Sequence, residues 1–242
     1  MLNTNIWAAI GLLAIAVLPL SACALGTLRG SGKLVTETRS VNDFNRVSLS
    51  GSGKVIITQG EEESLTIETD DNVIDYIASE VKGGTLTLGT KSGKSVSPTR
   101  LRFTLSVKDL VGLKVSGSGD ITSASLDTDR LEIGVSGSGD IQIDSLTAKA
   151  LKIGISGSGH VELAGKSPTQ EVTISGSGNL RAADLQCETA KVTISGSGSA
   201  TVWATESLNA RMSGSGSVKY YGSPTVSSKR SGSGKIHGLG DK

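Results

Sequence analysis

Leu146-Thr147-Ala148-Lys149-Ala150-Leu151-Lys152-Ile153-Gly154-Ile155-Ser156-Gly157-Ser158-Gly159-His160-Val161-Glu162-Leu163 is the stretch that decides the fold. Leu151, Ile153 and Ile155 alternate with Lys152 and Gly154, the period of two expected of a strand with one face inward. A Gly-Ser-Gly corner follows, after which Val161 and Leu163 resume the alternation. The design recurs upstream with Leu131, Ile133 and Val135, then Ile141 and Ile143, and before these Leu113, Val115 and Ile121. Ser-Gly-Ser-Gly occurs eight times, starting at Ser50, Ser116, Ser136, Ser156, Ser175, Ser195, Ser213 and Ser231, and the last seven copies are 18 to 20 residues apart. That spacing is too short for helix-pair repeats and predicts coils stacked into a solenoid. The expected fold is all-β, a right-handed parallel β-helix with 18–20 residues per coil and an N-terminal β-rich cap.

Stacking places equivalent residues about 4.8 Å apart, the distance between neighbouring strands. The outward column Glu132, Lys152, Glu171, Lys191 alternates in sign, as parallel in-register stacking prefers and an antiparallel meander does not predict. The corner serines would stack as well, with their hydroxyls bonded along the column. Between Ser50 and Ser116 the period fails. Strand-like segments at 46–59, 64–69, 85–89 and 100–107 surround a short helix expected over 72–81, with Asp71 near its N-cap and Gly83-Gly84 closing it. Residues 34–112 therefore read as a cap over an open sheet edge, and residues 113–238 as the repeat. Residues 235–242 offer no comparable cap at the other end.

Residues 1–22 read as a targeting segment. An apolar run from Ile6 to Leu18 precedes Leu20-Ser21-Ala22-Cys23, which resembles the lipobox of bacterial lipoproteins, where the cysteine sulfur is acylated, with palmitate among the chains, and the peptide is cut before it. The n-region departs from that pattern in having no Lys or Arg. The run is short of the roughly 20 residues that span a bilayer, which disfavours an uncleaved anchor. Cys23 is thus the expected lipidation site, residues 23–33 the tether, and Ala24 after the cysteine implies outer-membrane delivery by the sorting rule for such proteins. Cys187 is then the only other thiol. It stands eight residues before Ser195, as Ala148 does before Ser156 and Thr128 before Ser136, so it is expected to be buried.

Net charge is +1, with no concentrated basic face, so nucleic-acid binding is not expected. Aromatics are 3% of residues while glycines number 32, a balance that favours tight corners over a core of large rings.

The order Arg39-Ser40-Val41-Asn42-Asp43-Phe44-Asn45-Arg46-Val47, running into Ser50-Gly51-Ser52-Gly53-Lys54-Val55-Ile56-Ile57-Thr58-Gln59-Gly60, resembles the opening of the autotransporter adhesin head family, the head-GIN domain. Tyr220-Tyr221-Gly222-Ser223-Pro224-Thr225-Val226 resembles its C-terminal signature. The resemblance covers residues 34–238 and implies a β-helical, secreted or lipid-anchored envelope protein. It brings no catalytic residues and no cofactor.

Two constellations stand out. The residues after each corner form the column Lys54, Asp120, Asp140, His160, Asn179, Ser199, Ser217, Lys235, in which Asp120, Asp140 and His160 could hold a divalent metal or act on a glycan. Asp, Asn and Ser are also ordinary corner residues. Trp203 and Tyr221 occupy one slot, eight residues after Ser195 and Ser213, with Tyr220 next door; such rings stack on sugar faces or simply plug a solenoid end. Serines at every corner make chance Ser/His/Asp proximity expected, and no Gly-rich motif ends in the Gly-Lys-Ser/Thr of a phosphate cradle. The functional expectation is a non-enzymatic, lipid-anchored envelope protein that binds a glycan or protein or serves as a scaffold. Alternatives are self-association into a homo-oligomer through the open C-terminal edge and, third, a glycan-active enzyme.

Overall fold

Glu132 lies beside Lys152, Lys152 beside Glu171, and Glu171 beside Lys191, all in parallel pairing, in a computed structural model that describes residues 26–242. The leader and Cys23 fall outside the described residues. The charge column is realised: Lys152 Nζ is 3.4 Å from Glu132 Oε1, and Lys191 Nζ is 2.7 Å from Glu171 Oε1. The hydrogen bond and then the charge of Lys191 hold the Glu171 carboxyl below its ordinary value. These pairs are exposed and serve register more than stability.

The same register runs through the body. Before the corner, Thr85, Arg46, Gly112, Glu132, Lys152, Glu171, Lys191, Asn209 and Ser227 occupy one column. One residue further on, Leu86, Val47, Leu113, Ile133, Ile153, Val172, Val192 and Ala210 point inward, and all are buried. Leu88, Leu49, Val115, Val135, Ile155, Ile174, Ile194 and Met212 form the next inward column, and Phe103, Val55, Ile121, Ile141, Val161, Leu180, Ala200 and Val218 line the wall after the corner. Burial of each large aliphatic side chain stabilises by about 1.5–3 kcal/mol, so the columns supply one continuous core.

Backbone, not hydroxyls, holds the corners. The Gly137 carbonyl accepts from the N–H groups of Ser158 at 2.8 Å and Gly159 at 3.1 Å, and the Gly117 carbonyl accepts in the same way from Ser138 and Gly139. No hydrogen bond links one corner serine hydroxyl to another among the described residues. Gly157 has φ +125°, and a Cβ there would lie 2.4 Å from the Gly137 oxygen. At Gly159 a Cβ would meet the Gly139 oxygen and a Val135 methyl, so both glycines of the motif are needed.

The Ser50 corner belongs to the stack, since Ser50 pairs with Ser116 and Lys54 with Asp120. The chain then leaves the column and comes back: Thr85–Thr90 and Leu101–Val107 lie parallel to Arg46–Gly51 and Lys54–Gln59 on the side away from Gly112–Gly117. Ser64–Asp70 and Leu34–Arg39 extend one wall beyond Leu101–Val107 in antiparallel fashion, and Ile77–Lys82 extends the other. The helix expected over 72–81 does not form. A 3-10 turn at Ile74–Tyr76 leads directly into the Ile77–Lys82 strand. Gly83 and Gly84, with φ 56° and 73°, make a two-residue hairpin turn instead of a helix stop, and Lys82 faces Thr85 across it. Both left-handed residues match the twist of the flanking strands, and cross-strand pairing overrides the weak helical preference of so short a run.

Asp70 ties the cap together. Fully buried, it accepts from the backbone N–H groups of Gly32 and Thr99 and from the Thr99 hydroxyl, each at 2.7 Å. Burial alone would raise its pKa, but these bonds, with a further one from the Arg100 backbone, outweigh it and lower the value. The segment read as a tether is docked here from Leu28 onward: Leu28–Arg29 pairs with Val96–Ser97, and Ser31 bonds to Asn72 and Asp71. At the opposite end, Thr225–Ser231 pairs, among the described residues, only on its Leu208 side and is exposed throughout.

Gly157→Ala is expected to destabilise by about 2–4 kcal/mol in urea titration, from backbone strain plus the clash. Gly154→Ala is the matched comparison: its nearest atom is Ile133 O at 4.0 Å and its φ is not left-handed, so it should be neutral or stabilise by up to about 1 kcal/mol. Equal losses would show that the corners do not carry the register. Asp70→Ala should lower the thermal midpoint by roughly 5 °C at pH 7. The contribution of Asp70 is present above its unfolded value of 3.8 and lost as pH falls through the lower folded value, so the gap between wild type and variant should close only in strong acid.

Candidate functional site

The column after the corners is a hydrogen-bonded ladder. Asp120 Oδ1 accepts from the Asp140 N–H at 3.3 Å, and Asp140 Oδ1 accepts from the His160 N–H at 2.9 Å. His160 Nδ1 is 3.2 Å from Asp140 Oδ1, its Nε2 is 3.2 Å from Asn179 Nδ2, and Asn179 Oδ1 accepts from Ser199 Oγ at 2.5 Å. Each carboxylate thus turns toward the backbone of the next coil, and the imidazole is flanked by a carboxylate and an amide rather than by a serine hydroxyl. Among the described residues no three His, Cys, Asp or Glu side chains converge as metal ligands.

The aromatic slot is assembled as its spacing predicts. Trp203 pairs with Tyr221 on adjacent coils, and both rings are half-buried at the surface. Tyr220 is on the other side of the strand. It pairs with Val202, packs on the hydrophobic core and lies under Gly238, away from the two outward rings. Spacing missed two further members of the patch. Lys242 Nζ sits 5.4 Å from the centroids of both the Trp203 and Tyr221 rings and donates to the Asp184 carboxylate and to the Ala183 carbonyl. Asp184 lies in an irregularity where the pairing passes from Ala182 with Val202 to Gln186 with Trp203, so no repeat position marks it. A concavity of about 530 Å3 lies elsewhere, over the outward glycines Gly134 and Gly154 between Arg46, Lys114 and Lys152.

Cys187 points inward beside Ala204 with 2% of its surface exposed. Burial, and to a smaller degree the Glu188 carboxylate, pushes its thiol up to about 12.

A parallel β-solenoid with a docked N-terminal cap and an outward aromatic pair is the class that fold and surface define. The chain belongs to the head GIN domain family: the profile described as "Putative auto-transporter adhesin, head GIN domain" matches residues 43–224. A solved structure from Bacteroides fragilis, described as a "putative adhesin", is 33% identical with TM-score 0.81, covering 88% of this chain and all of that one. A "putative lipid binding protein" from Parabacteroides distasonis is 28% identical with TM-score 0.76 over 88% of this chain and 100% of its own. A "putative adhesin" from Parabacteroides merdae is 26% identical with TM-score 0.71, covering 88% of this chain and 99% of its own. No curated protein matches the chain.

A soluble form spanning residues 26–242 carries one thiol, Cys187. Ellman's reagent at pH 8 should leave it unmodified in the folded protein and titrate it fully in guanidinium, because only the thiolate attacks and only the unfolded chain supplies it. Rapid labelling of the folded form would contradict the burial.

Proposed function

We propose that the protein is a non-enzymatic, adhesin-type binding protein of the bacterial cell envelope, held in the outer membrane by lipid on Cys23. Its contact surface is the outward pair Trp203 and Tyr221, which meets a glycan or protein of the envelope or its surroundings. Family membership and the descriptions of the solved relatives support an adhesion-like role without catalysis. The observation that carries the reading is positional. The described chain starts on the cap, where Leu28 pairs with Val96, whereas Trp203 lies six strand spacings along the stack from Arg102. At about 4.8 Å per spacing that is roughly 30 Å, so the cap on which Leu28 docks and the aromatic pair lie at opposite parts of the rod, which suits an anchor on one side and a contact surface on the other. Several acyl chains, at about 0.8 kcal/mol per buried methylene, would make the anchorage effectively permanent.

Self-association through Thr225–Ser231 is the competing use of the fold, because that strand leaves one edge unpaired. Lys229 and Arg230 on the same strand oppose it, since a like-charged edge repels its copy.

Two arms test the reading. Full-length protein expressed with a clickable palmitate analogue should be labelled and sediment with outer membranes, and Cys23→Ser should be unlabelled and soluble. On arrays of envelope glycans and proteins, Trp203→Ala should lose about tenfold or more of wild-type retention. Equal labelling of the two chains removes the anchor, and equal retention removes the patch.

A further inference from the structure

Lys242 shows what the aromatic patch is built to hold. Its ammonium lies over two ring faces, Trp203 and Tyr221, each 5.4 Å away, while the Asp184 carboxylate accepts one N–H and the Ala183 carbonyl accepts another at 2.7 Å. The donors and acceptors come from successive coils, brought together because Trp203 pairs with Tyr221 and because the pairing of residues 183–185 with the next coil is interrupted. That interruption frees a strand carbonyl to face a ligand, as irregularities in a sheet commonly do. Each element answers one property of a primary ammonium. The ring quadrupoles attract its charge, the carboxylate balances it, and the carbonyl requires an N–H donor. A neutral sugar lacks the charge, and a quaternary ammonium lacks the donor.

The occupant arrives as part of an extended segment. Leu239 N–H donates to the Tyr220 carbonyl at 2.8 Å, Gly222 N–H donates to the Gly240 carbonyl at 3.0 Å, and Ser223 Oγ donates to Asp241 Oδ1 at 2.7 Å. The pattern is that of a peptide laid along a strand with its lysine directed into a cage. The Asp184 side chain remains 72% exposed with Lys242 in place, so an incoming cation can reach it before the resident one leaves.

We infer that Asp184, Trp203 and Tyr221 form a lysine-reading site, closed by the chain's own Lys242 and taken in exchange by a lysine side chain on an extended segment of a partner protein. The inference rests on the reading of Trp203 and Tyr221 as a contact surface and names the group that surface selects.

In the 26–242 form Trp203 is the sole tryptophan, because the other, Trp7, precedes it, so its emission reports the site directly. Nα-acetyl-lysine amide should change that emission saturably in Lys242→Ala, with an apparent affinity about tenfold tighter than in wild type, where the tethered lysine competes at millimolar effective concentration. Adding Asp184→Asn to Lys242→Ala should weaken binding about tenfold, and the Nε-acetylated ligand, which has no charge, should not bind. Equal affinities for wild type and Lys242→Ala would overturn the inference. So would choline binding as tightly as the lysine amide, or vesicles with ethanolamine headgroups binding more tightly than it. A response to neutral oligosaccharides alone would overturn lysine reading while leaving the rings as a contact surface. Silence toward every probe would remove both.

Discussion

The approach of one corner backbone to the next is the constraint on which the rest of the molecule depends. The carbonyls of Gly51, Gly117, Gly137, Gly176 and Gly196 each take two N–H groups from the coil after, at a separation that leaves no room for a Cβ, as between Gly137 and the pair Ser158 and Gly159. This contact pins the axial register, and the register determines what every other position does. It stacks Ile133 on Ile153 and Val172 inside, and Glu132 on Lys152 outside. It also sets Asp140 against His160, so that polar groups which would compete for water in isolation satisfy one another along the rod.

A solenoid must also finish its ends, and this one treats them differently. At the N-terminal end the chain spends residues 60–111 on strands that cover the first coil and wrap its walls with antiparallel pairs, locked by the buried Asp70 carboxylate. At the other end the Thr225–Ser231 strand is exposed and cationic at Lys229 and Arg230, the Lys235–Gly238 strand pairs along Ser217–Tyr220, and the residues after it reach over the aromatic pair. The anchored reading assigns the closed end to the membrane side and the open, aromatic end to the partner side.

Much of this was legible in the sequence because a repeat turns position into geometry. Once the period is known, a residue's neighbours in space lie one period away, which is why the charge column, the Trp203 and Tyr221 pairing and the burial of Cys187 could be read from letters alone. What escaped lies where the period breaks. Gly83-Gly84 after an amphipathic run suits a helix stop and a hairpin equally, and the long-range pairing of Thr85–Thr90 with Arg46–Gly51 decides between them. Stacked corner serines suggest a hydroxyl ladder, but the corner backbone makes those bonds. Asp184 sits in an irregularity and Lys242 in the segment beyond the repeats, so no column predicted their meeting. Gln170, in the inward column between Leu151 and Ala190, is buried with its Oε1 unpaired; the alternation with Val172 and Ile174 turns it inward although its side chain is polar.

The return of Thr85–Val107 to the far side of the Arg46–Gln59 coil has a consequence for how the molecule is made. Both strands that flank Arg46–Gly51 are synthesised after it, so the first coil leaves the ribosome without a template on either side. Closing it requires contacts across some forty to sixty residues of chain, roughly the loop-closure step that limits non-local β topologies. Gly112–Gly117 then docks on the finished Arg46–Gly51 edge, and every later coil meets an edge one period upstream. Assembly therefore divides into a single slow nucleation at the cap and a rapid, directional zippering along the rod.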